Sequence, residues 1–306
     1  MLAYFILMKN LLLGLIVTPV FTLYYINHHP VVETRDTVVG RGVIRANSFF
    51  KDEVKPDGVK PCFNGAYYRK VVSSKDVWLG IAGTVVLPKI TFDPSRRNDK
   101  KPGQFLDNPS IYMGGSMNEQ ETDVGMTWAV IREEDGKVSA ERKAFRPFFR
   151  RAGYPKTGQK DSWQDAPARK EFYWYPGEEV SMSLRVVSDG KLRFVIEGAG
   201  KRFEADFDSD GYHMNGVGEF KRVNAIDQVR NEGKPAQPTK TRVENSTWKE
   251  TRLFRLQAGK VISVPMHKGR FTDMRCPDAR YFKIKANKKQ EQIGAETISI
   301  DGNGYL

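Results

Sequence analysis

The stretch Val180–Gly198, VSMSLRVVSDGKLRFVIEG, decides the fold class of this chain. Apolar and polar residues alternate on both sides of a short Asp-Gly turn. The alternating apolar residues are Met182, Leu184, Val186, Leu192, Phe194 and Ile196. Because side chains two apart in a strand share a face, the stretch predicts a β-hairpin with one core face and one solvent face.

The same kind of pattern continues along most of the chain after Phe49. Short β-branched or aromatic runs such as VWLGIAGTVVLP, DVGMTWAVI and KAFRPFFR are separated by Gly, Pro, Asp and Asn turns. No window of helical length outside the N-terminal segment shows an i, i+3, i+4 apolar stripe. The sequence therefore predicts an all-β fold, and many closely spaced strands favour a sandwich or jelly roll over a small barrel.

Composition divides the chain into segments. We expect a β-sandwich over residues 49–230, followed by a Pro-rich linker at 231–247, NEGKPAQPTKTRVENST. Residues 248–306 contain further strand-like runs, which are either strands added to the sandwich or a small second domain. We expect an appended C-terminal β-subdomain.

The N-terminus predicts export. In residues 1–30 one lysine, Lys9, precedes an uncharged run from Leu11 to Ile26, as in an export signal or an uncleaved membrane anchor. Residues 31–48 then form a linker. The prediction is a secreted or envelope-anchored, extracytoplasmic protein that meets the membrane only through this segment.

The two cysteines of the chain, Cys62 and Cys276, are far apart in sequence. In an exported protein they either close a long loop as a disulfide or remain two unrelated thiols. Nothing resembles the paired spacing of a zinc site.

The charge balance predicts the class of partner. With 49 Lys+Arg against 37 Asp+Glu, the formal net charge is +12, which attracts nucleic acid, anionic lipid or anionic cell-wall polymers. The basic residues are scattered and no nucleic-acid-binding motif is present. We therefore expect a glycan or an anionic cell-wall polymer, and no nucleic acid.

The parity of strand residues selects candidate site residues. In EFYWYP, it directs Glu171, Tyr173 and Tyr175 outward, onto a concave face, while the more apolar Phe172 and Trp174 face the core.

Three other strand-like runs add to this face. In TDVGMTWAV the polar side carries Asp123 and Thr127, and in AFRPFFRR Arg146 shares a face with Phe148 and Arg150. A core role for Phe148, with solvated arginines, is the alternative. The run GEFKRVNAIDQ contributes a polar strand end with Glu219, Lys221, Arg222, Asn224 and Asp227. The expected ligand-binding residues are Tyr173, Tyr175, Arg146, Thr127 and Glu219.

The order SIYMGG, TDVGMTW, FYWYPGEEVSMSLRV and VGEFKRVNAID resembles the glutamic peptidases, or eqolisins, whose β-sandwich is of the concanavalin-like lectin and glucanase kind. The motifs YMGG, GMTW, FRPF, YPGE, FKRVNAIDQ and NEGKPAQPTKT also resemble the secreted proteins of Gram-positive bacilli called YrpD-like. These resemblances imply a concanavalin-like β-sandwich.

The catalytic dyad of the peptidases is not preserved at the matching positions. Asp123 stands where the resemblance implies Gln, and Tyr173 stands where it implies the catalytic Glu. Asp and Tyr cannot divide proton transfer and oxyanion stabilisation in the same way. If the protein is an enzyme, Asp123 and Glu171 form the alternative pair, of the two-carboxylate kind that glycosidases use.

One further motif has the pattern of a calcium loop. Asp206, Asp208 and Asp210 followed by Gly211 match D-x-D-x-D-G, but Val217 occupies the twelfth position, where a bidentate Glu is required. An Asp-rich hairpin turn explains the motif as well, so no cofactor is expected apart from this calcium alternative.

Together these patterns predict an exported β-sandwich protein that binds a carbohydrate or anionic cell-envelope polymer on a concave face. The alternatives are a secreted hydrolase using Asp123 and Glu171, and a structural surface protein.

Overall fold

The computed structural model describes residues 48–55, 58, 61–133 and 135–305. The predicted export segment at 1–30 and the linker after it, up to residue 47, lie outside these residues. Among the helices that are described, none has the length and apolar composition of a membrane span.

The described residues are mostly β-strand. The strands are β1 (Ala66–Ser73), β2 (Trp78–Val86), β3 (Lys89–Thr91), β4 (Asp107–Met117), β5 (Gln120–Arg132), β6 (Val138–Arg151), β7 (Ser162–Asp165), β8 (Glu179–Ser188), β9 (Lys191–Gly198), β10 (Lys201–Asp208), β11 (Gly218–Gln228), β12 (Arg242–Gln257), β13 (Lys260–Pro265), β14 (Phe271–Cys276), β15 (Phe282–Lys285) and β16 (Glu296–Asp301). The short helices are 3₁₀ turns at Lys170–Phe172, Lys268–Arg270 and Ala279–Tyr281, and α1 (Lys288–Gln292).

The strands form two antiparallel sheets. A seven-stranded sheet has the order β14-β1-β11-β4-β5-β6-β7. A nine-stranded sheet has the order β10-β9-β8-β2-β12-β16-β15, with β13 and β3 also pairing with β12. The prediction of an all-β sandwich is confirmed.

The β8–β9 hairpin has the predicted register. Met182 pairs with Ile196, and Leu184 pairs with Phe194. All four side chains are buried in the main core between the sheets. Gly190, at φ 72°, supplies the left-handed backbone that the turn requires.

The expected appended subdomain at 248–306 is not formed. β12 lies inside the nine-stranded sheet between β2 and β16, and β14 pairs with β1 of the other sheet. Residues 242–247, assigned to a linker by composition, already belong to β12. The C-terminal strands therefore complete both sheets of one compact unit, because an internal strand such as β2 needs a hydrogen-bonding neighbour on each side.

A network of buried polar side chains connects the two sheets. Arg222 of β11 forms an ion pair with Glu296 of β16, and its Nη1 donates to the carbonyl oxygen of Gly294 at 2.7 Å. Arg69 of β1 donates to the other oxygen of Glu296 at 3.0 Å. Two arginines on one sheet thus hold one carboxylate of the other.

A disulfide links Cys62 to Cys276, with the Cα atoms 5.7 Å apart. It ties the segment before β1 to the end of β14, so the structure forms the cross-link that the sequence left open.

Candidate functional site

A cleft of about 650 Å³ lies over the outer face of the seven-stranded sheet, the face turned away from the nine-stranded sheet. Alternate residues of β1, β11, β4, β5 and β6 point into it, because their sequence neighbours fill the core between the sheets. The cleft is bounded by β7 on one side and by residues 63–65 and 228–233 on the other.

The floor of the cleft contains a row of charged side chains. Lys221 of β11 is opposite Gly114 of β4, Gly114 is opposite Asp123 of β5, and Asp123 is opposite Arg150 of β6. The Nζ of Lys221 lies 2.7 Å from Oδ1 of Asp123, and Arg150 donates to Oδ2 of Asp123 at 2.5 Å. Lys221 also forms an ion pair with Glu121.

These contacts fix the charge of Asp123. Burial alone would raise its pKa, but the adjacent Lys221 and Arg150 lower it below its usual value. For Lys221, burial opposes the charged form, and Asp123 and Glu121 outweigh it, so its pKa is raised. Asp123 is therefore an ionised carboxylate whose charge is balanced by two cations, and it is a poor proton donor.

A second carboxylate in the cleft has the opposite environment. Asp227 of β11 accepts a hydrogen bond of 2.5 Å from the hydroxyl of Ser110. Burial raises the pKa of Asp227 to about 6; the Ser110 hydrogen bond opposes this shift, and the charges of Asp123 and Glu232 add to it. Asp227 can therefore carry or release a proton near neutral pH.

Tyr112 of β4 also lines the cleft, between these two carboxylates along the sheet. Burial, together with the charges of Asp123 and Asp227, raises the pKa of its hydroxyl well above the ordinary value. Tyr112 therefore keeps its proton and can act only as a neutral hydrogen-bonding group.

Two exposed aromatic rings lie at opposite sides of the cleft. Trp163 of β7 is 56% exposed and stacks on Phe148, with centroids 4.7 Å apart. Phe63, before β1, is 45% exposed and stacks on Tyr68 at 3.9 Å. Five inter-strand spacings of ~4.8 Å, or roughly 24 Å along the sheet, separate β1, which contains Tyr68, from β7, which contains Trp163.

The segment assigned to a linker by composition forms one wall of the cleft. Glu232 and Gly233 line the cleft. The side chain of Gln228 holds the loop by donating to the carbonyl oxygen of Gln237 and accepting from its N–H, both at 2.8 Å. The face is therefore bordered, but not covered, by residues after 231.

The structure brings some of the predicted site residues into the cleft. Asp123 and Thr127 line it, with Phe148 and Arg150 beside them. Arg146 is on the same strand but forms an ion pair with Asp165 at 3.3 Å and does not line the cleft. Glu219 of β11 also lies outside the cleft lining.

The prediction that Tyr173 is exposed on a concave face and binds a ligand is wrong. Tyr173 is 0% exposed and packs with Ile131 and Ala144 in a small apolar cluster. Phe172 and Trp174 do pack against the main core, as predicted. The alternation itself holds, because Tyr173 has extended backbone and shares a cluster with Tyr175 while Trp174 is in the main core. Burial in that cluster keeps the ring of Tyr173 out of the cleft.

Two neighbours of Tyr173 also lie outside the cleft. Glu171 belongs to the exposed 3₁₀ turn and lies 3.8 Å from Arg169, so it forms no pair with Asp123 across the cleft. Tyr175 is partly buried, with the ammonium of Lys201 5.1 Å from its ring centroid.

The three aspartates of the calcium-like motif have separate partners. Asp206 accepts two hydrogen bonds from Arg193, and Asp208 pairs with Lys191 at 3.5 Å. Asp210 accepts from Thr157 and Gln159. No group of three or more ligand-type side chains suited to a metal occurs among the described residues. Calcium binding by these aspartates stays a prediction that these contacts do not support.

Several residues that line the cleft were not among the expected ligand-binding residues, and a sequence pattern marks only two of them. Lys221 and Asp227 are an even number of positions apart in β11, so both point to the cleft. Trp163 and Phe63 are isolated aromatics in polar segments, and nothing local marks them as cleft residues. Glu232 is in the segment that its prolines and polar residues assign to a linker.

Solved structures with a similar fold include peptidases and a lyase. Scytalido-glutamic peptidase has 11% identity and a TM-score of 0.42, over 77% of this chain and 98% of that chain. SCP-B, a member of the eqolisin family, has 10% identity and a TM-score of 0.40 over the same shares. The alginate lyase from Klebsiella pneumoniae has 13% identity and a TM-score of 0.35, over 64% of this chain and 59% of that chain.

These likenesses concern the β-sandwich fold alone. No protein-family model matches the chain. No curated protein matches it either. The resemblance to YrpD-like secreted proteins therefore stays a prediction.

Proposed function

We propose that the protein binds a carbohydrate chain in the cleft, and that it does so outside the cytoplasm. The observation that carries the proposal is the pair of exposed rings, Trp163 and Phe63, stacked on buried partners at opposite sides of one cleft.

Stacking explains why such rings suit a sugar. Each exposed ring is held by the ring stacked against it, and both exposed rings line the cleft. A sugar ring has apolar C–H faces and a polar rim of hydroxyls, so it can bury a face on an aromatic ring while its hydroxyls meet polar groups. Asn108, Ser110 and Tyr112 supply such groups along the floor.

The charge balance of the cleft favours a neutral glycan over an anionic polymer. The charged residues that line it are Lys70, Arg150, Lys221, Glu121, Asp123, Asp227 and Glu232. Three cations thus face four carboxylates, and Arg150 and Lys221 each form an ion pair with Asp123. The excess of basic residues in the chain therefore lies outside the cleft, and an anionic polymer would meet no net attraction there.

The hydrolase with Asp123 and Glu171 gains no support from this geometry. Glu171 is outside the cleft, and Asp123 is neutralised by two cations.

The extracytoplasmic location is supported by the disulfide, since such bonds persist in oxidising compartments. The uncharged N-terminal run agrees with this location.

A glycan array that contains neutral and anionic glycans, followed by calorimetric titration of the best ligand, tests the proposal. We expect a neutral glycan to bind, and Trp163→Ala and Phe63→Ala each to weaken binding about tenfold. The matched control is Val261→Ala, which removes an exposed apolar side chain from β13 and should leave the affinity unchanged.

Three outcomes would overturn the proposal: no glycan binds, the two aromatic variants bind as tightly as the wild type, or only polyanions bind. A strong decrease of affinity with added salt would also contradict a neutral ligand.

A further inference from the structure

Two acidic residues come from neighbouring backbone segments at the Phe63 side of the cleft. Asp227 is paired with Ala66 across β11 and β1. The residue before Ala66 is Gly65, and a Cβ placed on it would stand 3.1 Å from the Cα of Glu232. The backbone of Glu232 therefore lies one residue away from the strand partner of Asp227, and both side chains line the cleft.

The loop holds Glu232 in this position. The amide of Asn231 donates to the carbonyl oxygen of Pro235 at 2.9 Å and to the side-chain oxygen of Gln228 at 3.1 Å. Arg230 and Gly233 adopt left-handed backbone with φ of 62° and 76°. These hydrogen bonds and turns define the conformation of the loop around Glu232, whose side chain lines the cleft.

The two carboxylates differ in environment. Asp227 is in the floor and hydrogen-bonded to Ser110, whereas Glu232 is exposed at the wall. Asp227 also interacts electrostatically with Tyr112 of β4 and Asp123 of β5. The other titratable residues of the cleft lining are Lys70 of β1, Glu121 of β5, Arg150 of β6 and Lys221 of β11. Paired carboxyl groups in unlike environments divide into a proton donor and a proton acceptor.

We propose that Asp227 and Glu232 act as the acid and the base of a glycoside hydrolase centre in this cleft, an inference that rests on the proposed glycan binding. The bond between the anomeric carbon and the leaving oxygen breaks, and Asp227 gives its proton to that oxygen. Water forms the new bond to the anomeric carbon, and Glu232 takes the proton that this water loses. Exchange with solvent restores both carboxyl groups.

The experiment measures cleavage and binding on the same material. Neutral soluble polysaccharides, including glucans, mannan, xylan and chitin oligosaccharides, are incubated with the full-length protein, and new reducing ends are counted. Affinity for each polysaccharide is measured in parallel. We expect cleavage that is greatest on the acidic side of neutrality and declines as pH rises through the pKa of Asp227, about 6.

The variants assign the two roles. Asp227→Asn and Glu232→Gln should each lower the rate by about 10²–10⁴-fold with little change in affinity. The control Glu171→Gln removes an exposed carboxylate outside the cleft and should cleave as the wild type does. Azide should restore turnover in Glu232→Ala and give a glycosyl azide that mass spectrometry detects.

The outcomes separate the two proposals. If glycans bind and none is cleaved, or if either variant keeps the wild-type rate, the hydrolase centre is excluded and glycan binding stands. If no glycan binds or is cleaved, both proposals fail. A product with retained anomeric configuration would exclude direct attack by water.

Discussion

The Nζ of Lys221 lies 2.7 Å from Oδ1 of Asp123, although the whole of strand β4 separates β11 from β5. The residue between them is Gly114, and a Cβ there would stand 2.9 Å from both the Cε of Lys221 and Oδ1 of Asp123. The charged floor of the cleft therefore depends on a strand residue without a side chain.

Gly114→Ala should destabilise the fold and disrupt the cleft. The new Cβ would also stand 2.0 Å from the carbonyl oxygen of Thr122, a backbone atom of the neighbouring strand that cannot move alone. We expect a loss of about 1–3 kcal/mol in the free energy of unfolding, measured by denaturant titration. Gly58→Ala, where a Cβ meets no atom within 4 Å, is the control. Equal stability of the two variants would show that the close approach is unimportant.

Asp227→Asn should stabilise the protein at alkaline pH. The folded state raises the pKa of Asp227 from 3.8 to about 6, so it favours the protonated carboxyl. The stability from this preference is complete below about pH 4 and is lost as pH rises through 6, by up to about 3 kcal/mol. The asparagine does not ionise, and its amide oxygen can still accept from Ser110.

Thermal unfolding from pH 4 to pH 8 checks this prediction. The Tm of Asp227→Asn should match that of the wild type at pH 4 and exceed it at pH 8. Glu171→Gln, which removes an exposed carboxylate 3.8 Å from Arg169, should shift Tm by a similar small amount at every pH. If the Tm difference between Asp227→Asn and the wild type is the same at every pH, the raised pKa of Asp227 is contradicted.

Glu296→Gln should weaken the connection between the sheets. The glutamine leaves Arg222 and Arg69 without their buried counter-charge, which costs about 3–5 kcal/mol. Burial by itself raises the pKa of Glu296, but Arg222 and Arg69 lower it below 4.5. The stability that the carboxylate contributes is therefore present above pH 4.5 and is lost as pH falls below it.

Urea unfolding at pH 7 and pH 3.5 tests this. The difference in the free energy of unfolding between wild type and Glu296→Gln should be large at pH 7 and smaller at pH 3.5. Glu291→Gln removes a carboxylate from an exposed pair with Lys268 and should cost less than about 1 kcal/mol at either pH. Similar costs for both variants at pH 7 would contradict the proposed importance of the buried network.

Removal of the disulfide should lower stability and loosen one side of the cleft. The bond closes a loop with a sequence separation of 214 residues, for which the chain-entropy model gives about 5 kcal/mol. Because Cys62 precedes Phe63, Cys62→Ser with Cys276→Ser should also weaken glycan binding. Guanidinium unfolding with and without reductant measures the stability effect. Reductant should destabilise the wild type and leave the double variant unchanged.

Much of the fold could be predicted from local patterns. The alternation in Val180–Gly198 predicted the hairpin and its core face, and the same pattern elsewhere predicted a β-sandwich. Parity also directed Asp123 and Thr127 outward, where they line the cleft. These predictions held because in an extended strand the side-chain direction is fixed by the backbone.

Less of the site could be predicted, since its residues come from distant segments. Tyr173 is buried because Ile131 and Ala144, from the distant strands β5 and β6, pack against it. Glu232 reaches the cleft because Gln228 and Asn231 fold its loop against the sheet. Local composition describes neither event, because each depends on contacts made after the strands have assembled.

The sequence by itself determined which segments are strands and which of their faces are apolar, since both follow from a two-residue period. Only the tertiary structure decided which strands are neighbours, and so placed residues 248–306 in both sheets and Lys221 beside Asp123. It also decided the proton affinity of Asp227, because burial and neighbouring charges, and not the residue type, separate its pKa from that of Asp123.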